Sequence, residues 1–238
     1  MEQYEHRLYS QQGEDGVIAR IFELIGTDTK VAVDIGAYDG KVTSNVYRLE
    51  VGHGWRTVKL EGGDIALSPE GVKNGVKHEW VTAENVCGLA NQYGVPKGLD
   101  FLSLDIDSTD YWVLKAFLEG GYRPRAMVTE YNGTYGPVLP VAVKYPLPDD
   151  LKWGDYYGAS LAAFYYLLKD YGYRLVYCEN EGVNAFWVRD DLATNELPAK
   201  SPAEAYKPPK YGKMDKWGNW TGHEHLNGFM EFIPRGLY

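Results

Sequence analysis

The chain has 238 residues, 45% of them hydrophobic, and a formal net charge of −9. That length suits one large domain or one domain with appendages, and the composition is that of an ordinary globular protein. The acidic balance argues against a nucleic-acid partner: Lys207, Lys210, Lys213 and Lys216 lie spread among prolines and tyrosines, which reads as a solvated tail.

Two cysteines, Cys87 and Cys178, are too few for a disulfide framework and read as reduced core residues. The first residues are polar and show no secretory pattern, and no apolar run approaches the length of a membrane span. The expectation is a cytoplasmic protein with no membrane partner. The oligomeric state is left open, a homodimer being one option.

Helical and strand signals alternate along the chain. Val17, Ile18, Ile21, Phe22, Leu24 and Ile25 recur at three- and four-residue spacing and predict a helix over 12–25, ended by Gly26. A short apolar run predicts a strand over 31–35, and a short helix over 42–51 follows. Strands are expected at 57–61 and 79–82, with a weak helix over 64–73 between them. One or two helical turns are expected over 85–93. A strand over 101–105, a helix over 109–119 and a strand over 126–131 come next. Residues 132–158, rich in Gly, Pro and Tyr, predict a long loop. A helix over 159–170 precedes two strands, 173–178 and 184–189, joined by a tight acidic turn.

Strands alternating with helices imply an α/β fold: a doubly wound, seven-stranded, mostly parallel sheet of Rossmann-like type with an antiparallel C-terminal hairpin. Residues 1–192 form that domain in this reading. Residues 193–238 lose the pattern and are expected as an extended, Pro-rich and aromatic tail packing on it.

The most informative stretch is Val31-Ala-Val-Asp-Ile-Gly-Ala-Tyr-Asp-Gly40. It reads as a buried strand entering a glycine-bearing turn, where doubly wound folds bind nucleotides. A dinucleotide fold needs Gly-x-Gly-x-x-Gly there so that backbone and helix can approach the pyrophosphate. Here Tyr38 takes the second glycine position and Asp39 follows, which disfavours a diphosphate. S-adenosylmethionine, with a sulfonium and an ammonium beside one carboxylate, suits an acid-flanked turn with Asp34 and Asp39. Glu61, ending the second strand, is placed to accept ribose hydroxyls. Glu84 or Asn85, after the third strand, could meet the polar edge of an adenine.

Four segments carry a family resemblance: Ser10-Gln-Gln-Gly-Glu-Asp15, Val33-Asp-Ile-Gly-Ala-Tyr-Asp-Gly40, Leu104-Asp-Ile-Asp107 and Thr129-Glu-Tyr-Asn132. Over roughly residues 8–190 the chain resembles class I S-adenosylmethionine-dependent methyltransferases, in particular the FkbM-type O-methyltransferases. The resemblance implies that Asp34, Gly36 and Gly40 hold the methionine end of the cofactor and Glu61 its ribose; Ala37, Tyr38 and Asp105 are expected to line the same cofactor site. Many such enzymes have a glycine in mid-turn, where this chain has Tyr38.

Asp105, Asp107 and Asp110 crowd the end of the fourth strand, and Glu130 and Asn132 the end of the fifth. Alternation puts Asp105 with Asp107, and Glu130 with Asn132, on common strand faces. Asp105, Glu130 and Asn132 make an oxygen-only set suited to Mg²⁺. Metal-dependent O-methyltransferases have a similar acid and acid-amide arrangement, although here Tyr131 separates Glu130 from Asn132. Without an ion, Asp107 or Glu130 would serve as general base. His223 and His225 are further candidates near the substrate, His223 as a catalytic group. No cysteine or further histidine completes a zinc set, and no hydrolase triad stands out.

The expected activity is O-methylation of a small polyhydroxylated acceptor, a sugar or natural product. A non-catalytic cofactor-binding module and a nicotinamide oxidoreductase are the rivals, the latter disfavoured by Tyr38 and Asp39.

Overall fold

In the structure, a computed structural model that describes residues 1–147, 158–222 and 230–233, strands and helices alternate over most of the chain. The strands are β1 (Val31–Ile35), β2 (Arg56–Glu61), β3 (Lys77–His78), β4 (Phe101–Leu104), β5 (Ala126–Glu130), β6 (Val141–Val143), β7 (Tyr173–Cys178), β8 (Asn184–Arg189) and β9 (Met230–Phe232). Seven of them join in the order β3-β2-β1-β4-β5-β8-β7. β1 to β5 pair in parallel, and β8 runs antiparallel to both β5 and β7. This is the doubly wound, mostly parallel, Rossmann-like sheet with a terminal antiparallel hairpin. β6 and β9 form a separate antiparallel pair.

The strands are apolar without a break because both faces are covered. Val33, Ile35, Leu102, Leu104, Met127 and Trp187 point to one core, shared with α4 (Val86–Gln92), α5 (Asp110–Glu119) and α6 (Leu161–Asp170). Ala32, Phe101, Ala126, Val128, Phe186 and Val188 point to the other, shared with α1 (Glu14–Ile25) and α2 (Tyr47–His53). α1 offers Val17, Ile18, Ile21, Phe22 and Ile25 to that core, the stripe its spacing predicts.

Three stretches differ from expectation. The helix expected over 42–51 begins only at Tyr47. The Asp39 carboxylate accepts the N–H groups of Lys41 and Val42, and the Ser44 hydroxyl accepts those of Val46 and Tyr47. Side chains thus take the donors a helix would use, and Thr43 at φ +60° is incompatible with one. The third strand lies at 77–78 rather than 79–82. β2 ends at Glu61, so after the Glu79 N–H reaches the Glu61 carbonyl at 2.9 Å the chain has no edge left to pair with. The 132–158 loop carries a 3₁₀ turn (Gly133–Tyr135) and β6 within its described part.

The described residues from 197 to 207 pack back onto the domain. Leu197 is fully buried. α7 (Pro202–Ala205) is closed by a Ser201–Glu204 capping box, with α3 (Pro69–Lys73) the other Pro-initiated helix. Tyr206 donates its hydroxyl to the Gly133 carbonyl at 2.7 Å, and Tyr131 donates to that of Lys207 at 2.9 Å. No helix among the described residues is long and apolar enough to cross a membrane.

Candidate active site

In a doubly wound sheet, ligands bind beyond the carboxyl ends of the strands where the winding direction reverses, here between β1 and β4. The chain has a cavity of about 580 Å³ at that place. Its walls come from the turn after β1 (Gly36, Tyr38, Thr43), the end of β2 (Leu60 to Gly63) and the segment after β3 (Glu79 to Thr82). The segment after β4 (Asp105 to Thr109), Glu130, Gln11 and the Tyr145–Leu147 strap complete it.

Gly36 is required. Its φ is +88°, and a Cβ there would lie 1.5 Å from the Asp105 carbonyl oxygen. β1 and the chain leaving β4 therefore touch backbone to backbone at the cleft floor. The Gly36 and Ala37 N–H groups both donate to the Leu60 carbonyl, at 2.9 and 3.1 Å, which ties the turn to β2. Gly40, at φ +77°, closes the turn with its N–H on the Ala37 carbonyl at 2.8 Å. Tyr38, at φ +50°, is half exposed and faces the cavity.

Glu61 is held by backbone on both oxygens: Oε2 accepts the Tyr38 N–H at 2.9 Å and Oε1 the Gly63 N–H at 2.7 Å. Its position is fixed before any ligand arrives, and its remaining lone pairs are available at the wall.

Other expected cofactor residues sit behind the wall. Asp34 is buried on the α1 side of β1. It accepts the Ser44 hydroxyl at 3.0 Å and is hydrogen-bonded to Ser103, its register partner on β4. Burial pushes its carboxyl up to about 6. Ala37 is buried and Gly40 packs on Val76. Asp39 is consumed by the turn after β1 and stands at no helix mouth: α2 begins only at Tyr47, so no helix starts there to face a diphosphate. Asn85 folds onto its own turn, accepting the Thr82 N–H and donating to the Trp80 carbonyl, both at 2.8 Å. Glu84 is exposed and accepts the Tyr145 hydroxyl, which holds its carboxyl below the usual range.

The acid cluster faces the cavity. Oxygens of Asp105, Asp107 and Glu130 lie within 4.8 Å of one another. Asp105 is half-buried, and desolvation together with Asp110 and Asp107 raises its carboxyl to about 7. Glu130 is raised well above its ordinary value by burial and by Asp105 next to it. Their carboxylate oxygens lie within 4.8 Å of each other, close enough to share a proton when nothing cationic is present. Asp110 plays a different part. It is fully buried and accepts the N–H groups of Ile106 and Ser108 at 2.8 and 3.0 Å, fixing the entry to α5.

Three carboxylate oxygens at this spacing fit one hard divalent ion. Asn132 is buried outside the cavity wall, and its side-chain oxygen accepts the Thr134 N–H at 3.1 Å. The oxygen set facing the cavity is therefore Asp105, Asp107 and Glu130. His223 and His225 lie outside the described residues.

Sequence reasoning missed Gln11, Thr43, Glu79, Trp80, Thr82 and Ile106 as wall residues. Trp80 is 61% exposed beside the cavity and rests on Gly62, where a Cβ would meet the indole at 2.6 Å. That glycine was the available signal. The Tyr145 strap is fixed from two sides, by Glu84 and by Trp112, whose indole stacks on Tyr145 at 6.0 Å and donates to the Val143 carbonyl at 2.8 Å.

No protein-family model and no curated protein matches the chain. Similar solved structures include the METTL16 MTase domain, with TM-score 0.44 and 16% identity, covering 74% of this chain and 66% of that one. A S-adenosylmethionine-dependent methyltransferase from Clostridium acetobutylicum ATCC 824 gives TM-score 0.44 and 13% identity, covering 74% and 90%. TnmH gives TM-score 0.39 and 14% identity, covering 73% and 56%. The chain thus spans just under two thirds of the first and somewhat over half of the last. At this distance the likeness concerns the chain trace, and the chemistry rests on the cleft itself.

Proposed function

We propose that the chain is a S-adenosylmethionine-dependent methyltransferase that O-methylates a hydroxyl of a small polyhydroxylated acceptor, a sugar or natural product. One observation carries this. A carboxylate preset by two backbone N–H groups, Glu61, stands in one wall of a cleft with Asp105, Asp107 and Glu130 in another, and no Lys, Arg or His lines it among the described residues. Such a cleft accepts a ribose and a cation and repels phosphates. Tyr38 and Trp80 offer flat apolar faces for a purine.

In the reaction, an acceptor oxygen attacks the sulfonium methyl carbon as the carbon–sulfur bond breaks. The hydroxyl proton passes to the Asp105–Glu130 pair, whose raised affinity for protons suits a general base. The product keeps its ammonium but its sulfur is neutral, so the acids release it more readily than the cofactor. Asp105, Asp107 and Glu130 would hold Mg²⁺, which acidifies a bound hydroxyl. With the ion bound, those acids would serve as its ligands and the acidified hydroxyl would give its proton to water. Chelation distinguishes the two: activity lost in EDTA and restored by Mg²⁺ supports the ion, and indifference removes it.

The deciding experiment is S-adenosylhomocysteine release from S-adenosylmethionine over a panel of glycans and phenols. Turnover with a hydroxyl acceptor is expected. Tight cofactor binding with no release across the panel supports a non-catalytic binding module instead. Binding of NAD with no response to S-adenosylmethionine overturns the reading.

A further inference from the structure

We infer that Gln11 binds the carboxylate at the methionine end of the cofactor, as a neutral anion contact in an otherwise acidic cleft. This deepens the cofactor reading above and rests on it. S-adenosylmethionine brings two cations and one anion at that end. The cleft acids suit the cations. For the anion, the described wall has no basic side chain, and the Gly36 and Ala37 N–H groups are already taken by Leu60.

Gln11 is exposed, faces the cavity, and makes no side-chain hydrogen bond with a described residue. Its carboxamide supplies two N–H donors. The backbone on either side of it is fixed by two buried acids. Asp15 Oδ2 accepts the N–H groups of Leu8, Tyr9 and Ser10 at 2.9, 2.7 and 2.8 Å, and the Ser10 hydroxyl at 2.9 Å. Glu14 accepts the Gln12 N–H at 2.8 Å and the Asn184 amide at 2.8 Å. Ser10 also bridges to Thr43, another wall residue. Burying two carboxylates to hold one short loop is expensive unless the loop presents something. What it presents over the turn after β1 is Gln11. The Ser10–Asp15 motif, conspicuous in the sequence and without a role in the chemistry, gains one here.

The test compares two ligands by calorimetric titration: S-adenosylhomocysteine, which has the amino-acid end, and 5′-methylthioadenosine, which lacks it. Gln11→Ala is expected to weaken the first by about tenfold or more and leave the second within about twofold. Gln11→Glu should weaken the first further still, because it sets one carboxylate against another. Equal losses on both ligands, no loss on either, or tighter binding by Gln11→Glu overturns the inference alone. Wild-type protein that binds neither ligand removes the cofactor reading and this inference with it. Melting temperature is the folding control, and an exposed Gln11 predicts no change.

Discussion

Replacing Glu61 by glutamine changes one atom and one charge, and the structure fixes the consequence of each. Both carboxylate oxygens accept a backbone N–H, from Gly63 and from Tyr38. A carboxamide has one oxygen, so one N–H is left facing an NH₂ group. An orphaned donor costs about 1 to 3 kcal/mol. These two sit at the rim of an open cleft where water can substitute, so about 1 kcal/mol applies, or about 2 to 4 °C in melting temperature for a chain this long. Binding loses more. A hydrogen bond to a charged acceptor exceeds a neutral one by about 1 to 1.5 kcal/mol. For two ribose hydroxyls that is about 2 to 3 kcal/mol, or about 30- to 140-fold in Kd. Titration of Glu61→Gln with S-adenosylhomocysteine, beside a thermal melt, measures both. A lowered melting temperature with a Kd within about threefold of wild type would make Glu61 a clamp for the turn after β1 and nothing more, and the ribose assignment would be refuted.

Three more predictions follow from the ends of β1 and β4. Asp105 rises from 3.8 to about 7 on folding and Asp34 to about 6, with Glu130 raised as well. The folded chain holds protons that the unfolded chain releases, so their contribution to stability is complete below the unfolded values and is lost as pH climbs through the folded ones. Ligand-free wild type should lose melting temperature from about pH 5 to about pH 8 more steeply than Asp105→Asn, and parallel slopes would refute the burial argument. Where the Asp105–Glu130 pair is the base, kcat/KM should rise over the same interval. Gly36→Ala drives a Cβ to within 1.5 Å of the Asp105 carbonyl from a φ of +88°. It should cost about 3 kcal/mol or more, about 6 to 12 °C in the melt, and an unshifted melt would refute the close approach of β1 and β4.

The sheet was readable because its strands are buried on both faces and so appear as uninterrupted apolar runs, as at Val31–Ile35 and Phe101–Leu104. The β6–β9 pairing was not, because it joins segments far apart in the chain and no local period encodes a partner. The turn after β1 was readable at Gly36, where a steric demand leaves one residue type. It was misread at 42–46, where Asp39 and Ser44 outbid the helix for backbone donors. Gln11 was hidden for a related reason: Glu14 and Asp15 open α1, and only their N–H partners show that they also hold the loop before it.

Backbone donors also explain which acids face the cleft as acids. Asp15, Asp39, Asp100 and Asp110 each accept two or more backbone N–H groups, which ties them to the fold. Asp105 and Glu130 face each other instead, and both carboxyls are raised above their ordinary range. Sequence position does not separate the two groups, since Asp105 and Asp110 stand five residues apart in one strand-to-helix connection. What separates them is the direction of the local N–H groups: toward Asp110 at the start of α5, and away from Asp105, whose own N–H is spent on the Ile35 carbonyl at 2.9 Å. A buried acid pair without donors is stabilised by any cation that enters the cleft. A sulfonium that arrives positive and leaves neutral supplies that cation during binding and withdraws it on transfer, so the acids that make the empty cleft costly also favour exchange of product for fresh cofactor.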